Sequence, residues 1–91
     1  MSNDKNQEDL ALVPNQLFAA RGLLDRMTQR ELAEASGVSE RAIAGFEAGE
    51  TVPHNSTLQK IREALERRGI EFSNGGNPGV KLIRDKAIIP T

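Results

Sequence analysis

Between Ser39 and Gly45, one side of a short helical segment is made of Ser39, Glu40, Arg41, Ala44 and Gly45. Most of these side chains are short, so a helix carrying them can lie deep in a major groove about 12 Å wide, where base edges present donors, acceptors and methyl groups. Other chemistry finds little footing. The chain has no cysteine and one histidine, which removes disulfide scaffolds, thiolate zinc sites and cysteine nucleophiles. No nucleophile stands at a plausible spacing from a base and no ligand cluster is present, so neither an enzyme nor a bound metal or cofactor is expected. His54, alone in a loop, reads as a solvated side chain and not a ligand. The glycine-rich run from Asn74 to Gly79 lacks the lysine and hydroxyl of a P-loop and reads as a turn.

The elements that must position the outward row are legible around it. Thr28 followed three residues later by Glu31 is a capping box, which predicts a helix from Gln29 to Ser36. Gly37 stands where the chain must turn left-handed, and Ser39 caps a further helix through about Ala48, with Gly49 as its terminator. Two short helices joined in this way cross steeply, which requires a small residue at closest approach, Ala33. Leu32, Val38, Ile43 and Phe46 then form the shared inner side. Upstream, Pro14 suits a first helical turn, and Leu17, Phe18, Arg21 and Leu24 recur at helical spacing, predicting a helix over Pro14 to Leu24. Downstream, Thr51 to Asn55 is a loop containing Pro53. Asn55 or Ser56 caps a fourth helix, whose stripe of Leu58, Ile61, Ala64 and Leu65 ends at Gly69.

Beyond Gly69 the pattern changes. Ile70-Glu71-Phe72 and Val80-Lys81-Leu82 alternate on either side of turn residues, predicting a β-hairpin that must pack against the helices or a second chain. The tail from Arg84 to Thr91 reads either as an unstructured end or as a partner-facing strand. The expected organisation is a flexible arm over 1–13, a helical domain over 14–69, and a hairpin with its tail over 70–91.

Composition agrees with a small helical domain. The 91 residues are 37% hydrophobic and 27% charged, with three Phe and no Trp or Tyr. A core so poor in rings must be built from Leu, Ile, Val and Ala, and a chain this short draws stability from a partner subunit. Met1 to Asp9 is polar and no apolar run approaches the roughly 20 residues of a membrane span, so a cytoplasmic protein with no membrane partner is expected. The net charge of −1 is unevenly spread: residues 1–55 carry four Arg and one Lys against nine acids. Binding to a polyanion would rest on a few placed Arg, backbone amides and helix N-termini, with strong salt sensitivity and modest non-specific affinity.

Gln29, Ala33, the Gly37-Val38-Ser39 turn, Ile43 and the Phe46-Glu47-x-Gly49 ending carry a resemblance to the lambda-repressor-like, or XRE-type, helix-turn-helix family. It extends over roughly Pro14 to Leu65, and the stretch from Gly69 through Leu82 is similar to small bacterial regulators of this type. The resemblance implies a mainly α fold, a four-helix DNA-binding domain with a C-terminal β-hairpin. It implies a regulator that binds a double-stranded DNA operator, most simply as a homodimeric repressor. Carried onto this chain, Ser39, Glu40, Arg41 and Ala44 would face base edges, Arg41 foremost because its fork matches guanine O6 and N7. Gln29, Thr51, His54 and Asn55 would meet the DNA backbone. Apart from the resemblance, the hairpin is the candidate dimer interface, by strand addition or by packing Ile70, Phe72, Val80 and Leu82 against their symmetry mates. The link from Arg21 to Gln29 is one residue longer than usual, which bears on the Arg21–Glu47 ion pair the family often uses. Two rival readings stand beside this one. In the first the chain is an antitoxin that also holds a toxin; a second protein partner could equally be polymerase. In the second it is a protein-interaction module without DNA binding, a reading kept open by the acids Glu34, Glu40, Glu47 and Glu50.

Overall fold

The computed structural model describes residues 12–73 and 78–83. Most of the arm expected over 1–13, the middle of the hairpin turn and the tail from Arg84 lie outside them. The described chain runs α1 (Pro14–Leu23), α2 (Gln29–Ser36), α3 (Glu40–Glu47), α4 (Asn55–Glu66), β1 (Ile70–Ser73) and β2 (Gly79–Leu82).

Local chemistry sets most of the boundaries. Helix α1 begins at Pro14, where the preceding Val13 is extended and donates its N–H to the side-chain carbonyl of Gln16 at 3.0 Å. The capping box before α2 is formed in both directions: Glu31 N–H reaches Thr28 Oγ1 at 2.9 Å and Thr28 N–H reaches Glu31 Oε1 at 2.8 Å. Gly37 closes α2 at φ 78°, a left-handed conformation that a side chain would strain. Ser39 accepts from Ala42 N–H at 3.1 Å and so caps α3. The start of α4 differs from expectation, because neither Asn55 nor Ser56 is the cap. His54 leaves Pro53 extended, and its backbone carbonyl closes the first turn by accepting from Thr57 and Leu58 N–H, each at 3.0 Å.

The strands are antiparallel, with Ile70 opposite Leu82 and Phe72 opposite Val80. Alternation therefore puts these four on one face, and Glu71 and Lys81 on the other, where they pair at 3.3 Å. Helix α1 packs on α3 and β2, α2 on α3 and α4, and α4 on β1. Leu17, Leu32, Ile43, Ile61 and Leu65 are fully buried at the centre. Each such side chain contributes roughly 1.5–3 kcal/mol relative to exposure. Leu12 is 5% exposed, so within the span expected as an arm this one residue is packed into the core. Phe18, one of the residues whose spacing predicts α1, points outward and is 66% exposed.

One polar side chain joins helix to hairpin. Gln16 is 3% exposed, and its amide nitrogen donates to the carbonyls of Ser73 and Gly79, each at 3.1 Å. The hairpin is thereby tied to α1 by hydrogen bonds as well as by apolar contact. Among the described residues no helix is long and apolar enough to cross a membrane.

Candidate nucleic-acid interface

The crossing of α2 and α3 is built as the sequence requires. Leu32, Val38, Ile43 and Phe46 are buried between the helices and the rest of the core, and the small Ala33 is half-buried beside them. That burial fixes which side of α3 faces out. Arg41 is exposed and Ala44 and Gly45 half-exposed on the side away from Ile43 and Phe46, Glu40 is exposed on its flank, and Ser39 is exposed at the N-cap. The expected reading row is thus brought together.

The mounting of α3 is more elaborate than its sequence suggests. Arg21 of α1 grips Glu47, at the last residue of α3, through two parallel bonds: Nε to Oε2 at 2.7 Å and Nη2 to Oε1 at 2.6 Å. The side chains are only 13% and 8% exposed. The longer link between α1 and α2 does not prevent this pair. Asp25 and Arg26 both take φ 61°, two consecutive left-handed residues that coil the extra length into a tight loop. Arg21 also holds that loop, donating Nη1 to the carbonyl of Met27 at 2.6 Å while its own carbonyl accepts Met27 N–H at 2.9 Å. The ring of Phe18 covers the guanidinium, with its centroid 5.6 Å away.

Glu47 passes this order on to Gln29, whose amide nitrogen donates to Glu47 Oε1 at 3.0 Å. An amide NH2 carries two hydrogens, so one remains for another acceptor at the exposed N-terminus of α2. The chain Phe18–Arg21–Glu47–Gln29 therefore connects the ends of three helices. Sequence reasoning identified Gln29 and the Arg21–Glu47 pair separately but not their junction, which depends on the strained loop at Asp25 and Arg26.

The loop after α3 is also pinned. Glu50 and Thr51 donate their N–H groups to the carbonyl of Gly45, at 2.9 and 3.3 Å. A Cβ at Gly45 would sit 3.0 Å from Thr51 Oγ1, so a larger residue here would make the Thr51 side chain give by a few tenths of an ångström. Thr51 is exposed beside α3, and His54 and Asn55 are exposed at the start of α4. Of the acids near the reading row, Glu47 is buried under Arg21, and Glu34 faces Arg30 at 3.9 Å in a solvated pair. Glu40 and Glu50 remain exposed.

The hairpin residues expected at a subunit contact are differently placed. Ile70 is 3% exposed and belongs to the core of its own chain, because the β1 face carrying it lies on α4. Phe72, Val80 and Leu82 pack partly against the same core and keep only part of their surface free. No group of three or more potential metal-binding side chains occurs among the described residues.

A family model described as Helix-turn-helix matches residues 19–72, from the middle of α1 to Phe72 in β1, which is more than half the chain and all of α2, α3 and α4. Among curated proteins none matches the chain.

Proposed function

The chain belongs to the lambda-repressor-like, XRE-type helix-turn-helix family, a DNA-binding regulatory family and not an enzyme family, and from that premise we propose that it is a homodimeric, operator-binding repressor. The observation that carries this reading is the division of α3: Ile43 and Phe46 are buried, whereas Arg41 is exposed on the opposite side, with Glu40 exposed on the flank and Ser39 exposed at the N-cap. In the groove, Arg41 donates its fork to a guanine, Glu40 accepts from a cytosine amine, Ala44 meets a thymine methyl, and Ser39 reaches the edge at the start of the helix.

Gln29, with the N–H that Glu47 leaves unused, donates to a phosphate. Thr51, His54 and Asn55 contact the backbone from the loop that Gly45 holds in place. One recognition helix is too small for specific affinity, and two-fold pairing sets two of them about 34 Å apart over successive major grooves. The half-exposed Phe72, Val80 and Leu82 contribute to that pairing. Occupancy of the operator blocks polymerase. The neutralisation of Glu47 by Arg21 favours this reading over a module that has lost DNA binding, since an acid that would repel phosphate is already compensated.

The test is a footprint on DNA from the gene's own neighbourhood at two salt concentrations, beside an Arg41→Ala variant. A two-fold symmetric protected site that the variant loses is the expected result; no protection even at low salt would overturn the proposal.

A further inference from the structure

Large exposed apolar side chains are few among the described residues, namely Val13, Phe18, Leu23 and Val52, and three of these four lie on α1 or at its cap. Phe18, Gly22, Asn15, Ala19 and Leu23 fall, in that angular order, within an arc of about 140° on the helix. All five are exposed and none is charged. The only charged residue of α1, Arg21, is turned inward to Glu47. The exposed sides of the other helices differ in kind: α2 shows Arg30, Glu31 and Glu34, α3 shows Glu40 and Arg41, and α4 shows Lys60, Glu63 and Glu66.

The face is also shaped. Ala19 and Gly22 form a low centre between Phe18 and Leu23, and the space a side chain at Gly22 would enter is open. Beside it runs a groove of 340 Å³ between α1 and β2, lined by Val13, Asn15, Gln16, Ala19, Pro78, Gly79 and Val80. This groove makes the α1 face continuous with the half-exposed rim of the hairpin.

The geometry points to α1 as the centre of a two-fold interface with a second copy of this chain, an inference that rests on the homodimer reading and says where the copies meet. A face without charge meets its own copy without repulsion and gives an acidic or basic partner nothing to pair with. Large beside small on one face is self-complementary, since a two-fold axis sets each copy's Phe18 against the partner copy's Ala19–Gly22 hollow, and small residues let helix axes approach to about 8 Å. Area decides how much else takes part. The exposed parts of Val13, Phe18 and Leu23 with the small residues between them come to on the order of 300–400 Å², against about 800 Å² per subunit in a stable dimer. The groove and the rim of β2 supply the remainder.

The experiment is sedimentation of the full chain from micromolar to near-millimolar concentration, for the wild type, Ala19→Glu, Ala19→Lys and an equimolar mixture of the two variants. Ala19 is exposed and both replacements are good helix formers, so circular dichroism should show unchanged folding. The expected results are a wild-type dimer, at least tenfold weaker self-association in each variant, and recovery of the dimer in the mixture. A wild type that stays monomeric, variants that dimerise as well as it does, or loss without recovery in the mixture would each overturn the inference. Binding of each protein to a DNA half-site at low salt separates this result from the DNA reading. If α1 is the interface, the variants bind a half-site as the wild type does. If the DNA reading alone fails, none binds while the dimer pattern persists.

Discussion

Removal of either member of the Arg21–Glu47 pair should cost far more than a surface ion pair is worth. With side chains 13% and 8% exposed, each charge depends on the other for most of its solvation. Arg21→Met leaves Glu47 with one neutral donor, Gln29, and Glu47→Leu leaves Arg21 with the carbonyl of Met27 and the ring of Phe18. Stranding one charge of a buried pair costs about 3–5 kcal/mol. A domain of this size has a total stability of roughly 5–14 kcal/mol and loses about 4–8 °C of Tm per kcal/mol. Each single variant should therefore melt at least about 12 °C below the wild type. The double variant replaces the pair by apolar groups of similar length and should recover much of the loss, with a coupling of up to about 3 kcal/mol. Urea denaturation followed by circular dichroism closes the cycle. Single variants that each lose less than about 1 kcal/mol, the value of an exposed pair, or a double variant that loses their sum, would refute the reasoning. The double variant carries a second reading: its Gln29 is no longer aimed by Glu47, so operator affinity should stay low although stability returns.

Three further outcomes follow from single side chains. Arg41→Ala should leave Tm nearly unchanged and lower operator affinity by about 1–3 kcal/mol, with the loss concentrated at one base pair in a panel of operator variants; a uniform loss over all sequences would assign Arg41 to phosphate instead. Gly37→Ala meets no atom within 4 Å, so only the left-handed φ of 78° opposes it; chemical denaturation should show a loss of about 1–2 kcal/mol, and a much larger loss would mean a clash. Gln16→Leu removes the donor shared by Ser73 and Gly79 and should cost about 1–3 kcal/mol, with hydrogen-exchange protection falling first in Ile70–Ser73 and Gly79–Leu82.

What the sequence made legible was whatever depends on neighbours in the chain. The capping box at Thr28 and Glu31, the left-handed Gly37, the cap at Ser39 and the stripe on α4 are all local rules, and all are present. The two strands of the hairpin were legible too, from the alternation in Ile70-Glu71-Phe72 and Val80-Lys81-Leu82, although alternation fixes a face and leaves the register to the fold. Features set by long-range geometry were not. Phe18 has the spacing of a core residue, but the side of α1 it occupies lies beyond the core, over Arg21. Gln16 reads as an ordinary polar helix residue until the hairpin folds against it. The cap of α4 shifted to His54 because a backbone carbonyl can close a helix without a side chain. In the site, the outward row was readable from the inward one, and the Arg21–Glu47–Gln29 chain was not, since it turns on two left-handed residues at Asp25 and Arg26 that no local rule requires.

The electrostatics of DNA binding can now be argued from placement instead of net charge. Non-specific affinity and salt dependence come from cations that displace counterions at phosphates, with a slope of about −0.9 per contact. Arg21 is buried in its own pair, and in the proposed docking Gln29, Thr51 and Asn55 donate to phosphate without charge. Among the described residues before α4, the exposed cations are Arg26, Arg30 and Arg41, and in this reading Arg41 is engaged with a base. The strong salt sensitivity suggested by composition is therefore revised downward: with Arg26 and Arg30 left for phosphate, a single subunit on a half-site should show a slope no steeper than about −1.8, two contacts at 0.9 each. The check is a titration of half-site binding across salt concentrations, repeated with Arg30→Gln, which should flatten the slope by about 0.9 if Arg30 leaves its weak pair with Glu34 to meet a phosphate. A markedly steeper wild-type slope would bring Lys60 and Arg67 of α4, or basic residues outside the described chain, onto the DNA, and would overturn the docking in which α2 and α3 make the backbone contacts.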